Sequence, residues 1–219
     1  MYANKNLMSL IKEKKMSQLR RTQKERKEET SLRLIEETIQ CLLELGYSGT
    51  NVKEICARAG VTTGAIQHNF NSKQGLMIAV VKKLFRGLDE GVKQIGPHKA
   101  SLNERIENLF EHYWNVYNDD QYYAVCEVLL AVRRDSELLR LNNQIRTEWL
   151  QEMKSYLISE YPDVDIPIEN KIGAVLDMID FLRGFCIRRI YGLSDETIKR
   201  VKIRARAIIT DAFKASPSN

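Results

Sequence analysis

The side chains best suited to read another molecule lie between residues 62 and 69. Threonine, glutamine and histidine there can donate and accept hydrogen bonds, and Gly64 and Ala65 leave room for a close approach of the backbone. A glutamine or asparagine amide can pair with both hydrogen-bonding atoms of an adenine edge. The residues expected to face base edges and phosphates are Thr62, Thr63, Ala65, Gln67 and His68. For Gln67 the sequence leaves a base contact and a phosphate contact open.

Catalysis or metal binding is the other chemistry that His68 could suggest. His98 and His112 do not lie at metal-ligand spacing from it, and the four cysteines are scattered singly. The sequence also lacks a phosphate-cradling glycine loop and a nucleophile elbow. We therefore expect no catalytic residue, no metal and no cofactor, and we do not expect an enzyme.

Two short helices joined by a tight turn are expected to position these side chains. Asn51 can cap a helix over 52–59, and Glu54 stands at the spacing of a reciprocal capping box. Gly60 supplies the left-handed position that ends this helix, and Thr62 can cap the next one. This arrangement is a helix-turn-helix, whose second helix enters the major groove of DNA.

The remaining sequence is also typical of helices. The 219 residues include only 4 prolines and 11 glycines, and the abundant Leu, Glu, Lys, Arg and Gln favour helices over strands. Apolar periodicity and capping residues predict about nine helices, over residues 31–45, 52–59, 62–70, 73–95, 101–117, 121–133, 136–160, 167–191 and 194–215. The sequence therefore predicts an all-α fold.

Residues 1–29 form a basic N-terminal extension. Residues 1–30 hold nine Lys or Arg against four Glu, a local excess that equals the net charge of +5 of the whole chain. The sequence leaves three roles open for this extension: a phosphate-contacting arm, an amphipathic segment on an anionic membrane, or a solvated tail. No apolar stretch approaches the ~18 residues of a membrane span, and no signal-peptide core is present. We expect a cytoplasmic protein with no membrane partner.

The segment from Thr50 to Leu76, TNVKEICARAGVTTGAIQHNFNSKQGL, resembles the N-terminal signature of TetR-family repressors. The turn Ala59-Gly60-Val61-Thr62 and the ending His68-Asn69-Phe70-Asn71-Ser72-Lys73 carry the resemblance. It implies a three-helix DNA-binding domain over residues 30–76 and a ligand-sensing, dimerising helical domain over residues 77–219. Such a protein would bind double-stranded DNA as a homodimer.

The resemblance also extends the expected DNA contacts. It places Thr50, Asn51 and Lys73 where they would clamp the phosphate backbone, whereas Gln67 and Asn69 stand where many members have tyrosines. The complete set of expected DNA-binding residues is Thr50, Asn51, Thr62, Thr63, Gly64, Ala65, Gln67, His68, Asn69 and Lys73.

Aromatic residues of the C-terminal part are candidates for an effector pocket. Aromatics at helical spacing are more often core residues, but together with acidic side chains they could enclose an amphipathic or cationic molecule. The candidate ligand-binding residues are Phe110, Trp114, Tyr117, Glu127, Trp149 and Asp177.

Apolar stripes on the last two predicted helices are candidates for a dimer interface. The residues expected to meet a second copy are Ile172, Val175, Ile179, Val201, Ala205 and Ile208. A monomer that buries both stripes internally is the alternative. A closed two-fold dimer would present two reading helices to a palindromic site.

These features favour a repressor that an unidentified small-molecule effector releases from a palindromic operator. The alternative is a constitutive DNA-binding factor with no small ligand.

Overall fold

The computed structural model describes the backbone of residues 22–94 and 100–215, and the side chains of residues 22–83 and 100–215. Within these ranges the chain forms nine helices and no strand, which confirms the all-α prediction. The helices are α1 (Gln23–Gly49), α2 (Val52–Ala59), α3 (Gly64–Phe70), α4 (Lys73–Gln94), α5 (Leu102–Asn118), α6 (Tyr122–Val132), α7 (Ser136–Glu160), α8 (Ile168–Arg189) and α9 (Asp195–Lys214).

Helix α1 begins at Gln23, well before the expected start at residue 31. The hydroxyl of Thr22 accepts from the N–H of Glu25, and the Glu25 carboxylate accepts from the N–H of Thr22. This capping box satisfies two free backbone donors at the helix start. The last part of the basic extension is therefore helical, whereas residues 1–21 lie outside the described residues.

An N-terminal core joins the first three helices to later parts of the chain. Leu34, Ile55 and Leu76 are buried there together with Ala124 and Val128 of α6. Helix α4 packs against α1 and also against α5, α6 and α7. The predicted boundary at residue 76 therefore falls in a helix that belongs to both parts.

A C-terminal core is formed by α5, α8 and α9, with contributions from α6 and α7. The expected dimerisation residues Val175, Ile179, Val201 and Ala205 are buried inside it. Ile172 and Ile208 pack against the same core. The four buried residues are therefore unavailable to a second copy, because α8 and α9 use them to pack against each other and against α5 within one protomer. Ile172 and Ile208 are only partly buried.

No helix in the described part of the chain combines the length and apolarity needed to cross a membrane.

Candidate nucleic-acid interface and sensor core

The turn between α2 and α3 has the geometry that the sequence predicts. Asn51 Oδ1 accepts from the N–H of Glu54 at 2.9 Å, and Gly60 is left-handed with φ of 63°. The second half of the expected capping box is absent, because the Glu54 carboxylate pairs with Arg58 Nε at 2.7 Å instead. The N–H of Val61 donates to the carbonyl of Cys56, which closes the turn. These local bonds fix the start of α3.

The N-terminus of α3 lies one residue later than expected. Thr63, and not Thr62, is the residue before the helix, and the Thr63 side chain makes no capping hydrogen bond. The carbonyl of Thr62 accepts from the N–H of Ala65 at 2.9 Å. Both threonines are exposed, so their hydroxyls face outward beside the first turn of the helix.

Most of the residues expected to contact DNA lie at the surface. Asn51 caps α2 there, and Ala65 is half-buried. The exposed ones on and before α3 are Thr62, Thr63, Gly64, Gln67 and His68. Residues four apart on a helix are neighbours, so Thr63 and Gln67 share a face, as do Gly64 and His68. The surface formed by residues 62–64, 67 and 68 is called the reading face below.

Asn69 points away from the reading face. Its Nδ2 donates to the carbonyl of Ala65 at 2.7 Å, and its Oδ1 accepts from Ser31 Oγ of α1 at 3.0 Å. Because both ends of the amide have partners within the protein, Asn69 ties α3 to α1. The expected DNA contact of Asn69 is replaced by this packing role.

The side chain of Thr50 also has its hydrogen-bond partner inside the protein. Its side chain is fully buried, and its hydroxyl donates to the carbonyl of Gly46 at 2.7 Å. Gly46 has a positive φ of 64°, so the helical path of α1 is interrupted by a kink there. Thr50 therefore stabilises the corner between α1 and α2, and its side chain cannot reach a phosphate.

Lys73 lies at the start of α4 and is half-buried. Its Nζ stands 4.7 Å from the centroid of the Tyr47 ring. Burial lowers the pKa of Lys73 from its ordinary value, and the Asp135 carboxylate opposes this shift. The cation is thus held over Tyr47 beside the helix-turn-helix.

Gly75 is a positioning residue that the sequence analysis did not single out. A Cβ at this position would lie 2.0 Å from the carbonyl oxygen of Phe70, the last residue of α3. Only glycine allows the first turn of α4 to approach the end of α3 this closely. A glycine three residues after the helix-capping Ser72 was the available signal.

The aromatic candidates for a sensor pocket are brought together. Phe110, Trp114 and Tyr117 are buried in the C-terminal core, and Trp114 stacks on Phe185 with centroids 5.1 Å apart. Trp149 is half-buried and packs at the edge of this core. Tyr122 and Arg183 adjoin Tyr117 but were not among the candidate site residues, because the three side chains come from three different helices.

The two acidic candidates do not line this core. Asp177 is exposed on α8. Glu127 Oε2 accepts from the backbone N–H of Tyr47 at 2.8 Å, at the corner that follows Gly46. Both residues therefore lie outside the aromatic cluster, and Glu127 bonds α6 to the DNA-binding segment.

Comparison with known proteins places the chain in a family. Residues 34–80 match the model of bacterial regulatory proteins, tetR family. The transcriptional regulator CymR of Pseudomonas putida is 25% identical over 195 residues, which cover 85% of this chain and 92% of CymR. The regulator BetI of Yersinia pestis is 41% identical over 70 residues, which cover 32% of this chain and 34% of BetI.

A solved structure extends the similarity to the whole fold. A transcriptional regulator from Saccharomonospora viridis, in complex with choline, aligns with a TM-score of 0.62 at 15% identity. The alignment covers 84% of this chain and 96% of that one.

The chain is a TetR-family helix-turn-helix regulator.

Regulators of the TetR family bind DNA and typically dimerise, and this chain has an apolar surface available for a partner. Several large apolar side chains are exposed on α8, on α9 and in the turn that follows α8. They are Phe181, Ile187, Ile190, Tyr191 and Ile203. Tyr191 is 84% exposed and Ile203 62% exposed. These five residues are called the outer face below.

A second contact joins the DNA-binding segment of this TetR-family chain to its C-terminal part. Gln74 Nε2, in the first turn of α4, donates to Asp135 Oδ2 at 2.9 Å. Asp135 also caps α7 by accepting from the N–H of Leu138. Together with the bond from Tyr47 to Glu127, this contact fixes the helix-turn-helix to α6 and α7.

Proposed function

We propose that this TetR-family regulator is a homodimeric repressor that binds a palindromic operator and is released from it by a small-molecule effector. The observation that carries the proposal is the hydrogen bond from the Tyr47 N–H to Glu127. It connects a helix of the C-terminal part to the corner that leads into the helix-turn-helix, so a shift of α6 would move the reading face.

The reading face supports recognition of DNA. Gln67 and His68 are exposed, and the small Gly64 lets the backbone of α3 approach a groove closely. Asn69 fixes α3 against α1, and Gly75 lets α4 pack closely against the end of α3. In this proposal Gln67 reads a base edge, while Asn51 and Lys73 contact phosphates and set the register.

The outer face supports a dimer. In a single protomer these five large apolar side chains are exposed to water, which is unfavourable, and exposed apolar surface of this kind is typical of an interaction site. Two copies related by a two-fold axis would cover the outer face of each with that of the other. The same axis would present two copies of α3 to successive major grooves, about 34–36 Å apart.

The position of α6 supports release by an effector. One side of α6 contributes Tyr122 and Val125 to the C-terminal core, and another packs Ala124 and Val128 against α1. A ligand that binds one arrangement of the C-terminal core better would shift α6 and change the spacing of the two reading faces. In the Saccharomonospora viridis relative the bound small molecule is choline.

The experiment that tests the proposal is selection of bound fragments from the host's genomic DNA, followed by titration of the enriched site. The proposal predicts two half-sites about one helical turn apart, bound by one dimer. Enrichment of sites without two-fold symmetry would contradict it.

The constitutive alternative is tested with a panel of small molecules. A sensor is stabilised against heat by some compound, and the same compound lowers its affinity for the operator. A DNA-binding factor without a ligand would keep its melting temperature and its operator affinity with every compound.

A further inference from the structure

Three polar groups that make no hydrogen bond of full geometry lie together in the C-terminal core. The rings of Tyr117 and Tyr122 have centroids 4.4 Å apart, and both residues are at most 2% exposed. Within the described part of the chain, neither hydroxyl makes a hydrogen bond of full geometry, and neither does the buried Nε of Arg183. The three groups lie close enough to interact with one another, and the guanidinium offsets part of the rise that burial causes in the pKa of both phenols. Folded proteins rarely leave buried polar groups unpaired, so these three call for an explanation.

All three groups can donate a hydrogen bond. An arginine side chain can only donate, and it carries a positive charge, whereas a tyrosine hydroxyl donates as well as accepts. The outer nitrogen Nη1 of Arg183 already donates to Asp180 Oδ1 at 2.9 Å. This ion pair at the surface anchors the guanidinium and leaves Nε for an acceptor inside. A carboxylate, with two oxygens and a negative charge, matches two phenols and a guanidinium.

Aromatic surface adjoins these donors. Trp114 lies one turn before Tyr117 on α5 and stacks on Phe185 of α8, and its ring is 6.1 Å from that of Phe110. Such rings pack well against an apolar body. A polar end at Tyr117, Tyr122 and Arg183 and an apolar end at these rings match an amphipathic ligand.

We propose that Tyr117, Tyr122 and Arg183 bind the effector of this regulator, and that the effector is a small carboxylate with an apolar body. The inference rests on the proposed function, since it names the ligand class of the same sensor. It reverses the charge expected from the sequence, because Glu127 and Asp177, which suggested a cation, do not line the core.

The proposed site has a direct route to the DNA-binding segment. Tyr122 begins α6, and Glu127, five residues later on the same helix, accepts from Tyr47. A carboxylate that draws Tyr122 toward Arg183 would pull on the helix that holds the corner before the helix-turn-helix.

The first test compares acids with uncharged analogues of similar shape. Benzoate and octanoate, each paired with its primary amide, are added to the full-length protein in thermal-shift and calorimetric titrations. We expect at least one acid, but not its amide, to raise the melting temperature. Arg183→Gln and Tyr117→Phe should weaken that binding by about tenfold or more, as expected for hydrogen bonds to a charged group. Arg146→Gln, at an exposed arginine on α7, is the matched control.

Failure of both acids to bind overturns the proposal. Equal binding of acid and amide, or unchanged affinity in Arg183→Gln, overturns it as well, because the charge of the guanidinium would then have no role.

A second test uses the protein without ligand. Tyr117→Phe should keep or raise the melting temperature, because it removes a buried hydroxyl that has no partner. Tyr161→Phe is the matched control. The Tyr161 hydroxyl is also buried, but it donates to the carbonyl of Arg105 at 2.9 Å, so its removal should lower the melting temperature. A comparable loss in both variants would show that Tyr117 has a structural partner, and would overturn the proposal.

Operator binding separates this inference from the proposed function. If an acid binds through Arg183 but DNA stays bound, the site stands and release by the effector fails. If DNA is released by an uncharged or cationic compound equally in wild type and Arg183→Gln, release stands and the carboxylate site fails.

Discussion

Gly75 holds the reading helix in place because it has no side chain. The carbonyl of Phe70, at the end of α3, occupies the space where a Cβ would stand. The orientation of the reading face therefore depends on a residue that lies outside that face.

Gly75→Ala is predicted to destabilise the protein and to weaken operator binding. A Cβ 2.0 Å from an oxygen forces α3 and α4 apart, at a cost of about 1–3 kcal/mol in the free energy of unfolding. Urea denaturation and operator titration measure the two effects. Gly173→Ala is the control, since nothing lies within 4 Å of its Cβ position and alanine favours the helix. Equal stability of the two variants would contradict the prediction.

Gln67 and Lys73 are predicted to contribute to operator affinity in different ways, the first depending on the base sequence and the second not. Gln67→Ala should cost ~1–3 kcal/mol on operators with the matching base and little on others, because a base contact is sequence-specific. Lys73→Ala should weaken every site alike and lower the salt slope by about 1.

Fluorescence anisotropy on a set of single-base operator variants, at several salt concentrations, distinguishes these two patterns. Gln151→Ala, at an exposed position on α7, is the control for both. A uniform loss of affinity in Gln67→Ala would assign Gln67 to a phosphate.

Helix α6 is the element through which the two cores of the molecule meet. It buries side chains in both cores, and Glu127 bonds it to the N–H of Tyr47. A structural element with these contacts can transmit a change in one core to the other.

Glu127→Ala is predicted to loosen this connection. The N–H of Tyr47 would lose its partner, which should lower the free energy of unfolding by about 1–3 kcal/mol. Operator affinity should fall, and any effector should lose part of its influence on DNA binding. Glu36→Ala, which removes an exposed ion pair to Lys83, should cost less than about 1 kcal/mol. Normal effector release by Glu127→Ala would show that the coupling runs elsewhere.

The helix starts show which features of elements are predictable from sequence. Asn51 and Gly60 were predicted correctly because capping and left-handed turns depend on a few neighbouring residues. The capping box of Thr22 and Glu25 is also a local sequence motif, and it would have placed the start of α1 correctly. The burial of Thr50 was not predictable, because it depends on how the corner at Gly46 folds back.

At the scale of the whole molecule, an apolar stripe on a helix does not reveal whether it packs within the protomer or against a second copy. Val175 and Val201 have the spacing of an interface, but they face the core of their own protomer. The exposed side of the same helices, with Ile187 and Ile203, carries fewer apolar residues and was therefore not predicted as an interface. Similarly, Arg183 meets Tyr117 and Tyr122 only because three helices converge. Such juxtapositions arise from tertiary packing, which periodicity along one helix cannot reveal.

Two kinds of substitution should separate the dimer from the fold. Ile187→Glu and Ile203→Glu place a charge on the outer face, where the free protomer can solvate it. In a dimer the same charge would be buried without a partner, at a cost on the order of several kcal/mol. We therefore expect a folded monomer that binds operator DNA weakly. Val175→Glu puts the charge into the C-terminal core and should unfold the protomer itself.

Light scattering gives the mass of each variant, and circular dichroism reports its helicity. Wild type should have the mass of a dimer at micromolar concentration, and the two outer-face variants should have half that mass with unchanged helicity. An exposed substitution away from this face, Leu130→Glu on α6, should leave both quantities as in wild type. If Ile187→Glu and Ile203→Glu stayed dimeric, the two copies would have to meet through another surface, and the spacing of the two reading faces would have to be derived anew from it.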